Sequence, residues 1–121
     1  MLNLDTHIVL HALAGNLRPV EQRLLEGDAW SMSAIVLWEI CKLREIGRVD
    51  VDLEAPEVVQ ALGRIHTWPI TLEICRTSCD LGLGGDPADQ LIAATSVVHR
   101  VPLLTRDRLL RRSKQVPLAA L

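Results

Sequence analysis

Four carboxylates stand at positions that folding needs alone do not fully explain. Asp5 closes the short stretch Leu2-Asn3-Leu4. Glu39 falls four residues after Ile35 and four before Leu43, on one apolar stripe of a helical run. Asp89 lies one turn into Gly85-Asp86-Pro87-Ala88-Asp89-Gln90-Leu91-Ile92-Ala93-Ala94-Thr95, at the edge of a face patterned to pack. Asp107 sits within Thr105-Arg106-Asp107-Arg108, just past the apolar stretch Pro102–Thr105. Burying an unpaired carboxylate costs several kcal/mol, so each acid that is buried needs a partner. Each also has a modest reading. Asp5 or Thr6 can cap the helix that follows, Lys42 can pair with Glu39, the helix dipole favours Asp89, and neighbouring arginines can neutralise Asp107. Asp86 is different: with Pro87 at the first helical position, it is accounted for as a helix start.

Chemistry becomes possible if the four acids meet. Carboxylates crowded into one cleft suppress one another's ionisation. A hard divalent cation relieves this, and an all-oxygen set with room for water suits Mg²⁺ or Mn²⁺. Such a centre makes a nucleophile of water and stabilises an oxyanion leaving group, the two requirements of phosphodiester hydrolysis.

Whether the acids meet depends on the elements that carry them. Leu2–Leu4 reads as a buried strand, followed by a helix from Ile8 that stops at Gly15-Asn16. Val20–Glu26 reads as a short helix and Ala29–Met32 as a second strand. Ser33 then caps a helix from Ala34 to Ile46, closed by Gly47. After a polar connection at 48–54, Pro56–Ile65 reads as a helix with Val58, Val59, Leu62 and Ile65 inward. Trp68–Thr71 has the pattern of a short strand, and Leu72–Leu83 is helical with Leu72, Cys75, Cys79 and Leu83 in line. The helix begun by Asp86 runs to about Arg100, with Leu91, Ala94, Thr95 and Val98 as its face. Pro102–Thr105 is a last strand and Leu109–Lys114 a last helix.

Short apolar strands alternating with helices predict an α/β fold. The expectation is a single domain over residues 1–121, with a short central parallel sheet flanked by helices on both faces. The C-terminal strand ends of such a sheet share one edge, where ligands bind. Asp5 and Asp107 follow strands at that edge, and Glu39 and Asp89 lie near the beginnings of helices that leave it.

The totals narrow the classes. A chain of 121 residues, 49% of them hydrophobic, can bury a core without staples. Tyr and Phe are absent, and Trp30, Trp38 and Trp68 are the only aromatics among Phe, Tyr and Trp. This argues against nucleic-acid modules that stack bases on aromatic platforms. A net charge of −2 gives no global attraction to nucleic acid, so any such contact needs a local patch. The three cysteines form neither a disulfide framework nor a zinc set, which points to a reduced, cytoplasmic setting. His7 and His11 are four apart, but Ile8 stands where a zinc protease needs Glu, so they read as packing or surface histidines. No leader pattern or membrane span is expected. Gly82-Leu83-Gly84-Gly85 lacks the lysine of a phosphate-binding loop.

Four segments in order resemble the PIN-domain family, and more narrowly the VapC-type toxins of bacterial type II toxin–antitoxin pairs. They are Asn3-Leu4-Asp5-Thr6, Ser33-Ala34-Ile35-Val36-Leu37-Trp38-Glu39-Ile40, the run Asp86–Thr95, and Leu104-Thr105-Arg106-Asp107. The resemblance implies a Mg²⁺- or Mn²⁺-dependent endoribonuclease, catalysed at Asp5, Glu39, Asp89 and Asp107 and held inactive by a cognate antitoxin protein. It also implies that Thr105, and less directly Thr6 or Ser33, orient a ligand through their hydroxyls. Arg106, Arg108, Arg111, Arg112 and Lys114 lie close by Asp107. They read as a solvated face, as contacts to RNA phosphates, or as contacts to an acidic antitoxin segment. The apolar surplus on the Ser33–Ile46 helix predicts a homodimer and a groove for the antitoxin. Two other readings remain: a receiver-like phospho-acceptor domain, for which only Asp5 is in place, and a catalytically idle PIN domain that binds partners.

Overall fold

The computed structural model describes residues 1–121. Four strands and seven helices follow one another as β1 (Leu2–Leu4), α1 (Thr6–Ala14), α2 (Pro19–Glu26), β2 (Trp30–Ser33), α3 (Ala34–Glu45), α4 (Pro56–Gly63), β3 (His66–Trp68), α5 (Leu72–Asp80), α6 (Pro87–His99), β4 (Leu103–Leu104) and α7 (Arg108–Arg111). The sheet order is β3-β2-β1-β4 and every pairing is parallel. The C-terminal segment extends the β4 edge: Leu103 N–H donates to Pro117 O at 2.8 Å and Ala119 N–H to Leu103 O at 2.9 Å.

Helices cover both faces. Successive side chains of a strand point to opposite faces. Asn3 points towards α6, where its amide donates to Ile92 O and Ser96 Oγ. Leu2 and Leu4 therefore point the other way, and both are buried as well. One hydrophobic cluster joins these leucines to Ile8 and Val9 of α1, Val36 and Ile40 of α3, and Ile92 and Ala93 of α6.

Local chemistry sets the helix boundaries. Ser33 caps α3 by accepting from Ile35 N–H at 3.3 Å, and Thr71 caps α5 through Ile74 N–H at 3.2 Å. Gly15 closes α1 in the left-handed region, at φ 72°, which a side chain would resist. Gly85, at φ 73°, turns the chain into the Asp86 cap of α6.

Three expectations change. The stripes expected of α4 and α5 hold only in part: Ile65 is buried and Leu62 packs on the core but Val59 is exposed, and on α5 Leu72 is exposed while Ile74 and Ser78 are the buried residues. The α5 helix packs on α6, so its inner face is set by that neighbour and not by its longest apolar line. Strand β3 lies at 66–68, earlier than the expected Trp68–Thr71, because Ser31, Met32 and Ser33 take His66, Thr67 and Trp68 as partners. Helix α6 is buried around much of its girth, with Ile92, Ala93 and Ser96 inside as well as Ala94 and Thr95. Leu91 and Val98, expected on its inner face, are only partly covered. No helix is long and apolar enough to cross a membrane.

Candidate active site at the C-terminal edge of the sheet

The topology opens a crevice between β1 and β4. From β1 the chain steps outward to β2 and β3, then returns to place β4 on the other side of β1. Connections leave the two central strands in opposite directions, the place where open α/β sheets hold ligands.

Asp5 and Thr105 are the first residues past these strands, and Thr105 Oγ1 donates to Asp5 Oδ2 across the crevice. Asp5 Oδ1 accepts from Ile8 N–H at 2.9 Å. The residue is thus the N-cap of α1 and a wall of the crevice at once, so its two readings are compatible. It is 4% exposed. Burial raises its proton affinity above the ordinary carboxylate value, against the pull of those two donors.

Glu39 is half-buried on α3, where Thr6 Oγ1 donates to its Oε1. Thr6 begins α1, so this hydroxyl ties the first turn of one helix to the other. Burial raises the Glu39 pKa, Thr6 opposes the rise, and the charges of Asp86 and Asp5 add to it. Lys42 does not pair with Glu39. Its ammonium lies 3.5 Å from Glu45 and 5.7 Å from the centre of the Trp38 ring, because Glu39 turns inward to Thr6 while Lys42 stays among exposed residues.

Asp89 lies in the first turn of α6. Its pKa is pushed up to about 7, first by burial and then by Asp86, Glu39, Asp107 and Asp5. No donor offsets these effects. Asp86, by contrast, caps the helix and accepts from Ala88 N–H at 2.9 Å. Asp107 caps α7 through Leu110 N–H at 3.0 Å, and its own N–H donates to Thr105 Oγ1 at 3.0 Å. The Thr105 hydroxyl is therefore a junction that accepts from Asp107 and donates to Asp5.

All four sequence-derived acids stand at this edge, with Asp86 as a fifth. None has a basic partner. The ion pairs of the chain are the N-terminus with Asp28, Lys42 with Glu45, and Arg106 with Glu21. Exposed His7 draws the Asp5 and Glu39 pKa values down, but it forms no pair with either. An oxygen-only donor set without a counter-charge fits a hard divalent cation, not zinc. In this arrangement no three His, Cys, Asp or Glu side chains converge on one centre. Sharing an ion therefore requires the carboxylates to turn towards one another.

Two features lay outside the sequence reading. Glu21 is fully buried. It holds Arg106 through two bonds of 2.6 Å, to Nε and Nη2, and also accepts from Arg18 N–H at 2.8 Å. Arg106 further bonds His11 Nε2 at 3.0 Å. Nothing in the spacing of Glu21 signalled this pair, since 85 residues separate the partners. The basic run is also thinner than its sequence. Arg106 is committed to Glu21, and Arg111 donates to Thr105 O and Ala119 O at 3.1 Å each. Arg108, Arg112 and Lys114 remain exposed. Ser33 serves as a helix cap, whereas Thr6 and Thr105 are the hydroxyls that meet the acids.

Comparison with known proteins gives concordant results. The PIN domain family model matches residues 3–115. A protein of Mycobacterium tuberculosis (strain ATCC 25618 / H37Rv) named Ribonuclease VapC22 is 32% identical over 114 residues, spanning 89% of this chain and 88% of its own. VapBC2 from Rickettsia felis, crystallised with a DNA fragment from its promoter, superposes with a TM-score of 0.72 at 18% identity, over 98% of both chains. A toxin–antitoxin complex from Klebsiella pneumoniae gives a TM-score of 0.67 at 21% identity, covering 88% of this chain and 87% of the other. At these identities the two structures bear on the fold alone.

Proposed function

The chain belongs to the PIN-domain family, and from that premise we propose that it is a Mg²⁺- or Mn²⁺-dependent endoribonuclease, the toxin of a toxin–antitoxin pair. The observation that carries the proposal is the acid edge. Buried Asp5, half-buried Glu39 and Asp89, and the exposed caps Asp86 and Asp107 stand along one edge without a basic partner, and burial with its negative neighbours pushes the Asp89 pKa up to about 7. Leaving such charge uncompensated is unfavourable, so the arrangement is best read as a place for a cation. The family match displaces the receiver-like alternative, and the intact acid set speaks against an idle domain.

Asp5, Glu39, Asp89 and Asp107 are the residues assigned to hold the ion. A cation held there would supply charge neutralisation at a scissile phosphate and would lower the pKa of a water towards neutrality. The protein's own contribution is orientation. Ile8 N–H and the Thr105 hydroxyl fix Asp5, and Thr6 fixes Glu39. Helix α6 carries Asp89 to the edge from a start set by Asp86 and Pro87. The ribonuclease reading is supported by the name of the Mycobacterium relative, and the partner reading by the toxin–antitoxin complex among the structural neighbours. An antitoxin then covers the toxin, and two toxin copies associate through the exposed α3 flank carrying Leu37 and Cys41. The 121 residues act as one unit in the cytoplasm.

The test is cleavage of a phage genomic RNA with Mn²⁺ or Mg²⁺, with EDTA, and by Asp5→Asn and Asp89→Asn. Cleavage that needs metal and both acids supports the proposal. Equal cleavage by the variants, or activity indifferent to EDTA, rejects it.

A further inference from the structure

Composition argued against base stacking, yet one of the three tryptophans stands beside the acids. Trp30 is committed through its Nε1–H to Leu25 O at 2.9 Å. Trp68 stacks on His99 with ring centres 3.9 Å apart. Trp38 is 55% exposed. It lines a groove of about 350 Å³ between α3 and α6 whose wall also includes Glu39 and Asp86. The groove thus runs directly into the acid edge.

We infer that Trp38 is a nucleobase-stacking residue, holding an unpaired base of the RNA next to the bond that the acids cleave. The inference rests on the endoribonuclease reading and deepens it. An exposed indole is the side chain best suited to hold a base without reading its sequence. Over one face of the Trp38 ring lies the Lys42 ammonium, 5.7 Å from the ring centre, which leaves the other face for a base. Its only ion pair is a 3.5 Å contact with Glu45 in which both side chains are exposed, so it is free to turn to a phosphate. An aromatic face, a cation on the same flank and continuity with the acid edge are together the chemistry of a single-stranded nucleic-acid track. A protein partner seated here would cover the same indole, and the mass measurement below tests for that occupant. The flank of α3 with Leu37 and Cys41 is separate. Trp38 and Lys42 lie about 100° further round the helix.

The experiment uses the full chain. Sites cut in a phage genomic RNA are mapped first, and a short oligoribonucleotide containing one such site becomes the substrate. Wild type, Trp38→Phe and Trp38→Leu are compared for KM and kcat, on the intact oligonucleotide and on versions with a base beside the cut removed. Mass in solution is measured for each variant. The expected result is a KM on the order of tenfold higher for Trp38→Leu, with kcat nearly unchanged and Trp38→Phe close to wild type. Removing one flanking base should cost wild type a similar factor and cost Trp38→Leu little more. Wild-type cleavage with an unchanged KM in Trp38→Leu overturns the stacking role and leaves the nuclease reading intact. A change of mass in Trp38→Leu, placing the residue between protein chains, overturns it as well. If wild type cuts no RNA with either metal, the nuclease reading falls and the stacking role falls with it.

Discussion

Asp86 and Asp89 sit three residues apart at one helix start and have opposite surroundings. Asp86 accepts from Ala88 N–H, while Asp89 has only burial and negative neighbours. Asn caps a helix about as well as Asp. Asp86→Asn should therefore keep RNA cleavage within about threefold of wild type, whereas Asp89→Asn should lose on the order of a hundredfold or more, as expected of a metal-site residue. The first change also removes a charge that raises the Asp89 pKa, so a carboxyl titration by NMR should show Asp89 moving down from about 7. The same group makes metal binding depend on pH. A cation must displace the Asp89 proton, so Mn²⁺ affinity measured by calorimetry should weaken as pH falls below about 7, approaching roughly tenfold per pH unit. Affinity that stays constant between about pH 5 and about pH 8 would remove Asp89 from the site.

At the scale of elements, the Glu21–Arg106 pair links the start of α2 to the loop after β4. That loop carries Thr105 and Asp107 on either side of Arg106. Removing one member of a buried pair leaves the other uncompensated. Glu21→Ala should cost about 3 kcal/mol, a discount on the fully buried case because Arg106 is partly exposed. For a domain of this size that is a fall in Tm on the order of 10 °C, readable by circular dichroism. The sheet, its parallel sense and the helix starts at Ser33 and Asp86 were legible because period, caps and glycine stops are local signals, whereas the choice of Asp5 over Thr6 as the first cap was left open. That the four acids stand at one edge was legible too, since strand ends of a parallel sheet share an edge by topology, whereas how their side chains are turned was not. Glu21 was not, because its partner lies 85 residues away and no local pattern announces a buried carboxylate. Nor was the inner face of α5. Leu72 is exposed because packing on α6, not the apolar line, decides which side is covered. These last two gaps concern contacts between elements, where sequence spacing carries least information.

At the scale of the whole molecule, the two kinds of buried acid give opposite pH dependences. Asp5, Glu39 and Asp89 have raised pKa values, so the folded chain binds their protons more tightly than the unfolded chain does. Their contribution to stability is complete below the unfolded values of 3.8 to 4.5 and is lost as pH rises through the folded values, about 7 for Asp89. Glu21 runs the other way. Arg106 holds its pKa below 4.5, so its contribution is present above that value and is lost in stronger acid. Metal-free protein should therefore be more stable at about pH 5, where the Glu21 contribution is in place and only part of the Asp89 contribution is lost, than at about pH 7.5. A divalent cation that binds only the folded, deprotonated cluster stabilises through its own binding free energy. Millimolar Mn²⁺ should thus raise Tm strongly at about pH 7.5 and less at about pH 5, where a proton already occupies Asp89. In Asp89→Asn the fall in Tm between these two pH values should shrink, and so should the gain from Mn²⁺. If Mn²⁺ stabilises equally at both, the ion sits away from the acid edge. If the metal-free Tm rises steadily from about pH 5 to about pH 7.5, the crowding of carboxylates at that edge is not what limits stability.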